Sequence, residues 1–281
     1  MKIAVLNSSG NVGKSTITKE FIYPRLANPL IVEIETVNAS NINNTNLNIK
    51  NYNTNDDIEE LYFNIIESDN VVVDIGASNL SGFFEKVLDF EGFLEVFDYF
   101  IIPTVSTIKE TEDTIKTIEF LKNIDVAEDK IKVIPNKVKK DVKSEFAILF
   151  KNLSIPVDTN VFIKDSKLFS NLALLKADIK SVYRSDLDYY KSEILQAETP
   201  QEKMRLIKMD MSNRMAHTII KNFDEMFEIL FDETPVKMEI AEPEKEEVTI
   251  VKSHTRKKPV KKEKENAPVE EDLNIEDSED F

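Results

Sequence analysis

Gly10, Gly13, Lys14, Ser15 and Thr16 have the types and spacing that hold a phosphate. They lie between an apolar run at 2–7 and an amphipathic run at 14–21, which read as a strand and a helix joined by a loop. Backbone N–H groups of such a loop point inward, and the helix N-terminus adds partial positive charge. Glycine at 10 and 13 lets the backbone come close. Lys14 supplies a point charge for the β- and γ-phosphates, and the Ser15 hydroxyl suits Mg²⁺. The strict phosphate-loop pattern G-x-x-x-x-G-K-[ST] asks for glycine at position 8, where this chain has Ser8. What remains is Ser9-Gly10-Asn11-Val12-Gly13-Lys14-Ser15-Thr16 in a strand–loop–helix setting, and all eight are expected at a nucleotide. The chain has only 5 glycines in 281 residues, where average usage gives about 20. Two of them fall in this loop.

A second element is Val71-Val72-Val73-Asp74-Ile75-Gly76. An apolar strand ending in aspartate offers a carboxylate for Mg²⁺, directly or through water. Gly76 leaves room for a γ-phosphate. One β-α-β unit separates this strand from the loop.

These residues need a scaffold, and the hydrophobic pattern supplies one. Strands are expected over 30–34, 70–75, 99–103 and 130–135 as well as 2–7. Helices are expected over 14–21, 56–68, 80–96, 109–123 and 141–152. Alternation of this kind indicates an α/β fold with a parallel sheet covered on both faces. Beyond residue 155 the pattern is mostly helical, and the C-terminal helical part spans about 183–231. In its last helix Met211, Met215, Ile219, Phe223, Met226 and Leu230 recur at spacings of three and four, a core-packing stripe. The stretch 38–54 holds eight Asn and no Gly or Pro. It reads as a long loop with room for one edge strand, and long loops tend to be functional.

Composition removes other chemistries. There is no Cys and there are only 2 His, which excludes disulfides, Cys-zinc sites and thiol catalysis and leaves little for a His-based metal site. The formal charge of −16 points away from general nucleic-acid binding. No apolar run reaches the ~18 residues of a membrane span, and the N-terminal apolar run is too short for a signal peptide. A cytoplasmic location is expected by default. The division expected is a nucleotide-binding domain over 1–234 and a disordered charged tail over 235–281. The tail carries 9 basic and 14 acidic residues and no aromatic before Phe281. Its basic cluster at 256–264 is the one place where DNA contact would be sought.

The loop resembles the deviant Walker A of ParA/MinD-type P-loop ATPases, K-G-G-x-G-K-[ST]-T. Asn7, Gly10, Val12, Gly13, Lys14, Ser15 and Thr16 match; Ser9 stands at the signature lysine and Asn11 at the middle glycine. It is similar more closely to the plasmid-stability StbB / conjugal-transfer TraL branch, through N-x-S-G-N-V-G-K-[ST]-T and the following Tyr23-Pro24-Arg25-Leu26. The resemblance implies a P-loop NTPase fold, ATP and Mg²⁺ as cofactors, and slow Mg²⁺-dependent ATP hydrolysis. It implies that Glu35, in Glu33-Ile34-Glu35, stands where the family has the aspartate that orients the attacking water. It implies that Asn136 contacts the base, and Lys139 in place of the guanine-reading Asp favours adenine. The implied role is a switch in plasmid stability, partition or conjugative transfer, with a protein partner such as a DNA-binding plasmid protein. In the family the signature lysine reaches a partner subunit's nucleotide, so Ser9 leaves the homodimer open. A non-hydrolysing nucleotide-dependent interaction protein is the alternative. A P-loop kinase ranks lower, because the few arginines are scattered.

Overall fold

The computed structural model describes residues 1–35, 47–53 and 58–238. Most of the Asn-rich stretch, the far tail and the basic cluster at 256–264 lie outside the described residues.

Six strands form one sheet in the order β3-β2-β4-β1-β5-β6, every neighbouring pair parallel. They are β1 (Lys2–Val5), β2 (Leu30–Ile34), β3 (Ile49–Tyr52), β4 (Val71–Ile75), β5 (Tyr99–Thr104) and β6 (Ile131–Pro135). The five strands read from the sequence are present. The sixth, β3, is an edge strand at the end of the Asn-rich stretch, paired with β2 through Ile31 and Ile49. The central strands are largely apolar, as burial on both faces demands. Ala4, Leu6, Val32, Val71 and Val73 face one core cluster, and Ile3, Val5 and Val72 face the other.

The first cluster is covered by α2 (Ile58–Glu67), α3 (Leu80–Val87), α4 (Ile108–Asn123) and α6 (Ala147–Asn152), through Leu61, Phe83, Phe84, Leu121 and Leu149. The second is covered by the helix after the glycine loop and by α10 (Pro200–Phe231), through Phe21, Phe223, Phe227 and Leu230. Between the sheet and α10 the chain forms α5 (Val142–Glu145), α7 (Lys167–Leu175), α8 (Ile179–Val182) and α9 (Tyr189–Gln196). A smaller cluster of Leu168, Leu172, Ile179, Val182 and Ala216 joins α7 and α8 to α10. Chain passing beyond α10 stays on the body: the Val236 N–H donates to the Arg25 carbonyl at 3.0 Å, and Met238 packs on this cluster.

Three helices differ from expectation. The one expected over 80–96 ends at Val87, and Gly92 at φ 78° turns the chain into a 3-10 turn, Phe93–Val96. The one expected over 141–152 breaks at Phe146 into α5 and α6. The helix after the loop runs past Phe21. It is α-helical over Lys14–Thr16 (α1), π-helical over Ile17–Ile22 and 3-10 over Tyr23–Arg25. π-turns are rare and cluster at functional sites.

Among the described residues no helix is long and apolar enough to cross a membrane.

Candidate functional site

β1 sits where the strand order reverses, with β4 on one side and β5 on the other. In open parallel sheets ligands collect outside the carboxyl ends of the strands at that switch point. The glycine loop leaves β1 there.

The loop is pinned from within. The buried Asn7 amide donates to the Pro103 carbonyl at 2.8 Å and to Thr114 Oγ1 at 2.9 Å, and Asn7 Oδ1 accepts the Ser9 N–H at 2.8 Å. Ser8, where the strict pattern has glycine, ties the loop to α4: its N–H donates to Thr117 Oγ1 at 3.2 Å, and its hydroxyl lies 3.0 Å from the same atom. Ser9 is 2% exposed, and its hydroxyl has no hydrogen-bond partner. A Cβ at Gly10 would meet nothing within 4 Å, so the surface over the loop is open. Asn11 takes the left-handed conformation at φ 56°, which Asn tolerates better than most residues. Lys14 folds over the loop, its Nζ donating to the Ser9 carbonyl at 2.8 Å and the Asn7 carbonyl at 3.3 Å. Burial lowers its pKa, opposed by the charges of Asp74 and Glu35.

The next strands bring the carboxylates. Asp74 lies beside Val5 in the β1–β4 register and beside Glu33 in the β2–β4 register. It is hydrogen-bonded to the Ser15 side chain, and burial lifts its pKa to about 6 against that bond. A buried carboxyl held against a hydroxyl is the donor pair that Mg²⁺ takes in P-loop proteins, so the residues fit that ion. Glu35 is half-buried; burial raises its pKa, the Glu33 charge adds to this, and Lys19 and Lys14 oppose it. Gly76 is fitted to the end of β2. A Cβ there would stand 3.1 Å from the Ile34 carbonyl oxygen and 3.2 Å from Glu35 Cγ, and the Gly76 N–H donates to that carbonyl at 3.0 Å.

Asn136 has a structural part besides the base contact expected of it. Its Nδ2 donates to the Val12 carbonyl at 2.8 Å, and its Oδ1 accepts the Lys137 N–H at 2.8 Å. It braces the loop from β6. Lys137 adds a second brace from Nζ to the Asn11 carbonyl at 2.9 Å.

The structure therefore gathers Lys14, Ser15, Asp74, Glu35 and Gly76 at the ends of β1, β2 and β4, with Asn136 beneath the loop. Residues that sequence reasoning did not assign are Ser8, Asn79, Lys137 and Lys19. Asn79 donates to the Ile34 carbonyl at 3.0 Å and fixes the backbone just before Glu35. Lys19 forms a buried ion pair with Glu33, Nζ to Oε1 at 2.5 Å. Only a pairing across β2 and the first helix could have revealed it. A cavity of about 700 Å³ lies elsewhere, against α10, lined by Phe162, Phe169, Met215 and Ile229. No residue expected at the phosphate lines it.

No family model and no curated protein matches the chain. Among solved structures, MinD cell division protein of Aquifex aeolicus is similar at 15% identity over 77% of this chain and 97% of that one, with a TM-score of 0.43. MinD of Pyrococcus horikoshii OT3, complexed with Mg-ADP, gives 14%, 74%, 93% and 0.42. The cell division ATPase MinD of Pyrococcus furiosus gives 13%, 76%, 98% and 0.43. The chain's own sheet order and loop geometry define its architecture, the α/β sandwich of a P-loop NTPase.

Proposed function

We propose that this chain is an ATP-binding, slowly ATP-hydrolysing switch of the ParA/MinD type, dependent on Mg²⁺ and acting in plasmid stability, partition or conjugative transfer. The observation that carries the reading is the pairing of Ser15 with Asp74 beside Lys14, at the mouth of a loop that is open above Gly10. Bound Mg²⁺ would offset the charge of the β- and γ-phosphates. Lys14 exchanges the Ser9 and Asn7 carbonyls for phosphate oxygens. The loop N–H groups, from Gly10 to Thr16, cradle the same oxygens. Glu35 orients the attacking water, and Gly76 keeps the γ-side open. Asn136 retains a second amide hydrogen for the base, and Lys139 in the guanine-reader's position favours adenine.

Switching belongs to the same reading. ATP bound beside Glu35 changes the surface that engages a protein partner, and hydrolysis releases the partner. The partner class is a DNA-binding plasmid protein. The domain over 1–234 does this work, and the tail over 235–281, with its basic cluster at 256–264, is the arm through which DNA would be touched. A homodimer would need a cation other than the one absent at Ser9.

Binding and turnover of ATP by the wild type and by Lys14→Ala test the reading. Lys14→Ala should weaken ATP by about 100-fold. Unaltered turnover in that variant would overturn the assignment. The burial of Ser9 favours one second reading, a nucleotide-dependent interaction protein without hydrolysis. ATP binding with no wild-type turnover would select it.

A further inference from the structure

The first helix carries a second lysine that the proposed reaction does not use. Lys19 lies in the π-helical segment Ile17–Ile22, 8% exposed, and its ammonium sits on Glu33 Oε1 at 2.5 Å. Glu33 is no remote partner. It lies directly opposite Asp74 in the parallel β2–β4 register. Paired residues of adjacent strands share a face and stand about 5 Å apart. Both side chains are buried. Two like charges so placed repel strongly when water is scarce. The charge of Lys19 also acts on Glu35 and Asp74 directly.

We propose that Lys19 is a positioning residue of the phosphate site: by pairing with Glu33 it removes one negative charge from beside Asp74, so that the cation place is confined to Ser15 and Asp74. This rests on the Mg²⁺–ATP reading above. Without the pair the carboxyl edge would present two adjacent buried carboxylates. A divalent cation would then be held more tightly and drawn toward Glu33, away from the hydroxyl of Ser15. With Lys19 kept and no Glu33, the cation would meet an ammonium whose charge Glu33 no longer balances. The two charges therefore predict opposite errors when removed singly and a cancellation when removed together.

Titration of Mg²⁺ against the full chain, read by the shift in melting temperature without nucleotide, tests this independently of catalysis. Lys19→Met should lower the half-saturating Mg²⁺ about fivefold or more, and Glu33→Gln should raise it by a similar factor. Lys19→Met/Glu33→Gln should return it to within about twofold of wild type, and Lys19→Arg should stay there, since charge alone is asked of position 19. In steady-state hydrolysis, Lys19→Met should lower kcat with KM for ATP little changed, and the double variant should recover. Should Lys19→Met fail to fold, Glu33→Gln and the double variant decide. Shifts of both single variants in one direction, or no shift in Glu33→Gln, would overturn the proposal and reduce the pair to a structural tie. Failure of the wild type to bind ATP would instead sink the functional reading, while the Mg²⁺ titration would still judge Lys19.

Discussion

The Cβ that Gly13 lacks would stand 2.2 Å from Asn136 Nδ2, the same nitrogen that donates to the Val12 carbonyl. Gly13 also holds φ at 97°. Loop and brace are therefore fitted to each other, and the fit has a measurable coupling. Gly13→Ala combines a clash with a left-handed backbone that costs a non-glycine about 1–2 kcal/mol. Asn136→Ala strands a buried carbonyl at about 1–3 kcal/mol. The double variant should lose less than the sum, by at least about 1 kcal/mol, because the clash vanishes with the amide. Urea unfolding of all four forms reads this, and strict additivity would contradict the fit.

Glu20 predicts a pH dependence. Its Oε2 accepts the Ile179 N–H at 2.7 Å, tying the π-helical segment to α8. Burial lifts its pKa to about 8, the Asp178 charge adding to this while the Ile179 N–H bond and Lys19 oppose it. The folded chain thus binds a proton more readily than the unfolded one. The resulting stabilisation is complete below the ordinary value of 4.5 and is lost as pH rises through about 8. Glu20→Gln keeps an acceptor for the N–H and cannot ionise. Its melting temperature should fall less than that of wild type between pH 5 and pH 9, a range spanning about 4 units around the folded value. Parallel profiles would count against a buried, protonated Glu20.

Glu35→Gln should separate binding from turnover. The substitution keeps the shape and removes the carboxylate proposed above to orient water. ATP affinity should hold within a few-fold, while kcat falls by about 100-fold, in the range for loss of a positioned base. A loss of affinity matching the loss of kcat would place Glu35 in binding instead.

Arg25 should resist conservative replacement. Its guanidinium donates to the Phe21 and Ile220 carbonyls at 2.9 and 3.2 Å, pairs with Asp224 at 2.8 Å, and lies over the Phe21 and Phe223 rings. Burial pulls its pKa to about 10, with Asp224 opposing, so it is charged at neutral pH. A lysine has no planar fork to serve these partners together. Arg25→Lys should cost about 1–3 kcal/mol in unfolding free energy. Asp224→Asn should cost about 1 kcal/mol or less, because Asp224 is 40% exposed and solvent screens the pair.

The parts of the fold legible in the sequence were those written in one continuous segment. The Gly-Lys-Ser loop, the apolar strand ending in Asp74 and the strand–helix alternation are of this kind. Pairings between distant segments were not. Asn136 and Val12 are 124 positions apart, and the base role implied for Asn136 left its loop-bracing role unseen. Ser8 looked like a missing glycine until Thr117 was placed beside it. Glu33 read as an acidic strand end and Lys19 drew no reading, because neither carries a local sign of burial. The π-helical segment has no sequence signature, since its residues differ from those of an α-helix only in hydrogen-bond register. Met211, counted in the core stripe of α10, is 52% exposed; the stripe is buried only toward the helix's C-terminal end, at Phe223, Met226 and Leu230.

That end of α10 rests on the phosphate-loop helix through Phe21, with ring centroids 5.1 Å from Phe223 and 6.4 Å from Phe227. The helix is 32 residues long, about 48 Å at the α-helical rise. It is held at one end by the element that carries Lys14 and Ser15, and farther along by α7, α8 and α9, which pack against it around Ala216 and Asn213. From the Phe223 contact to Pro200 is about 35 Å at the α-helical rise, so a tilt of about 5° there would carry Pro200, and α9 packed beside the helix, through about 3 Å. A sub-ångström adjustment around a phosphate would be read out as a displacement the size of a side chain, at Pro200.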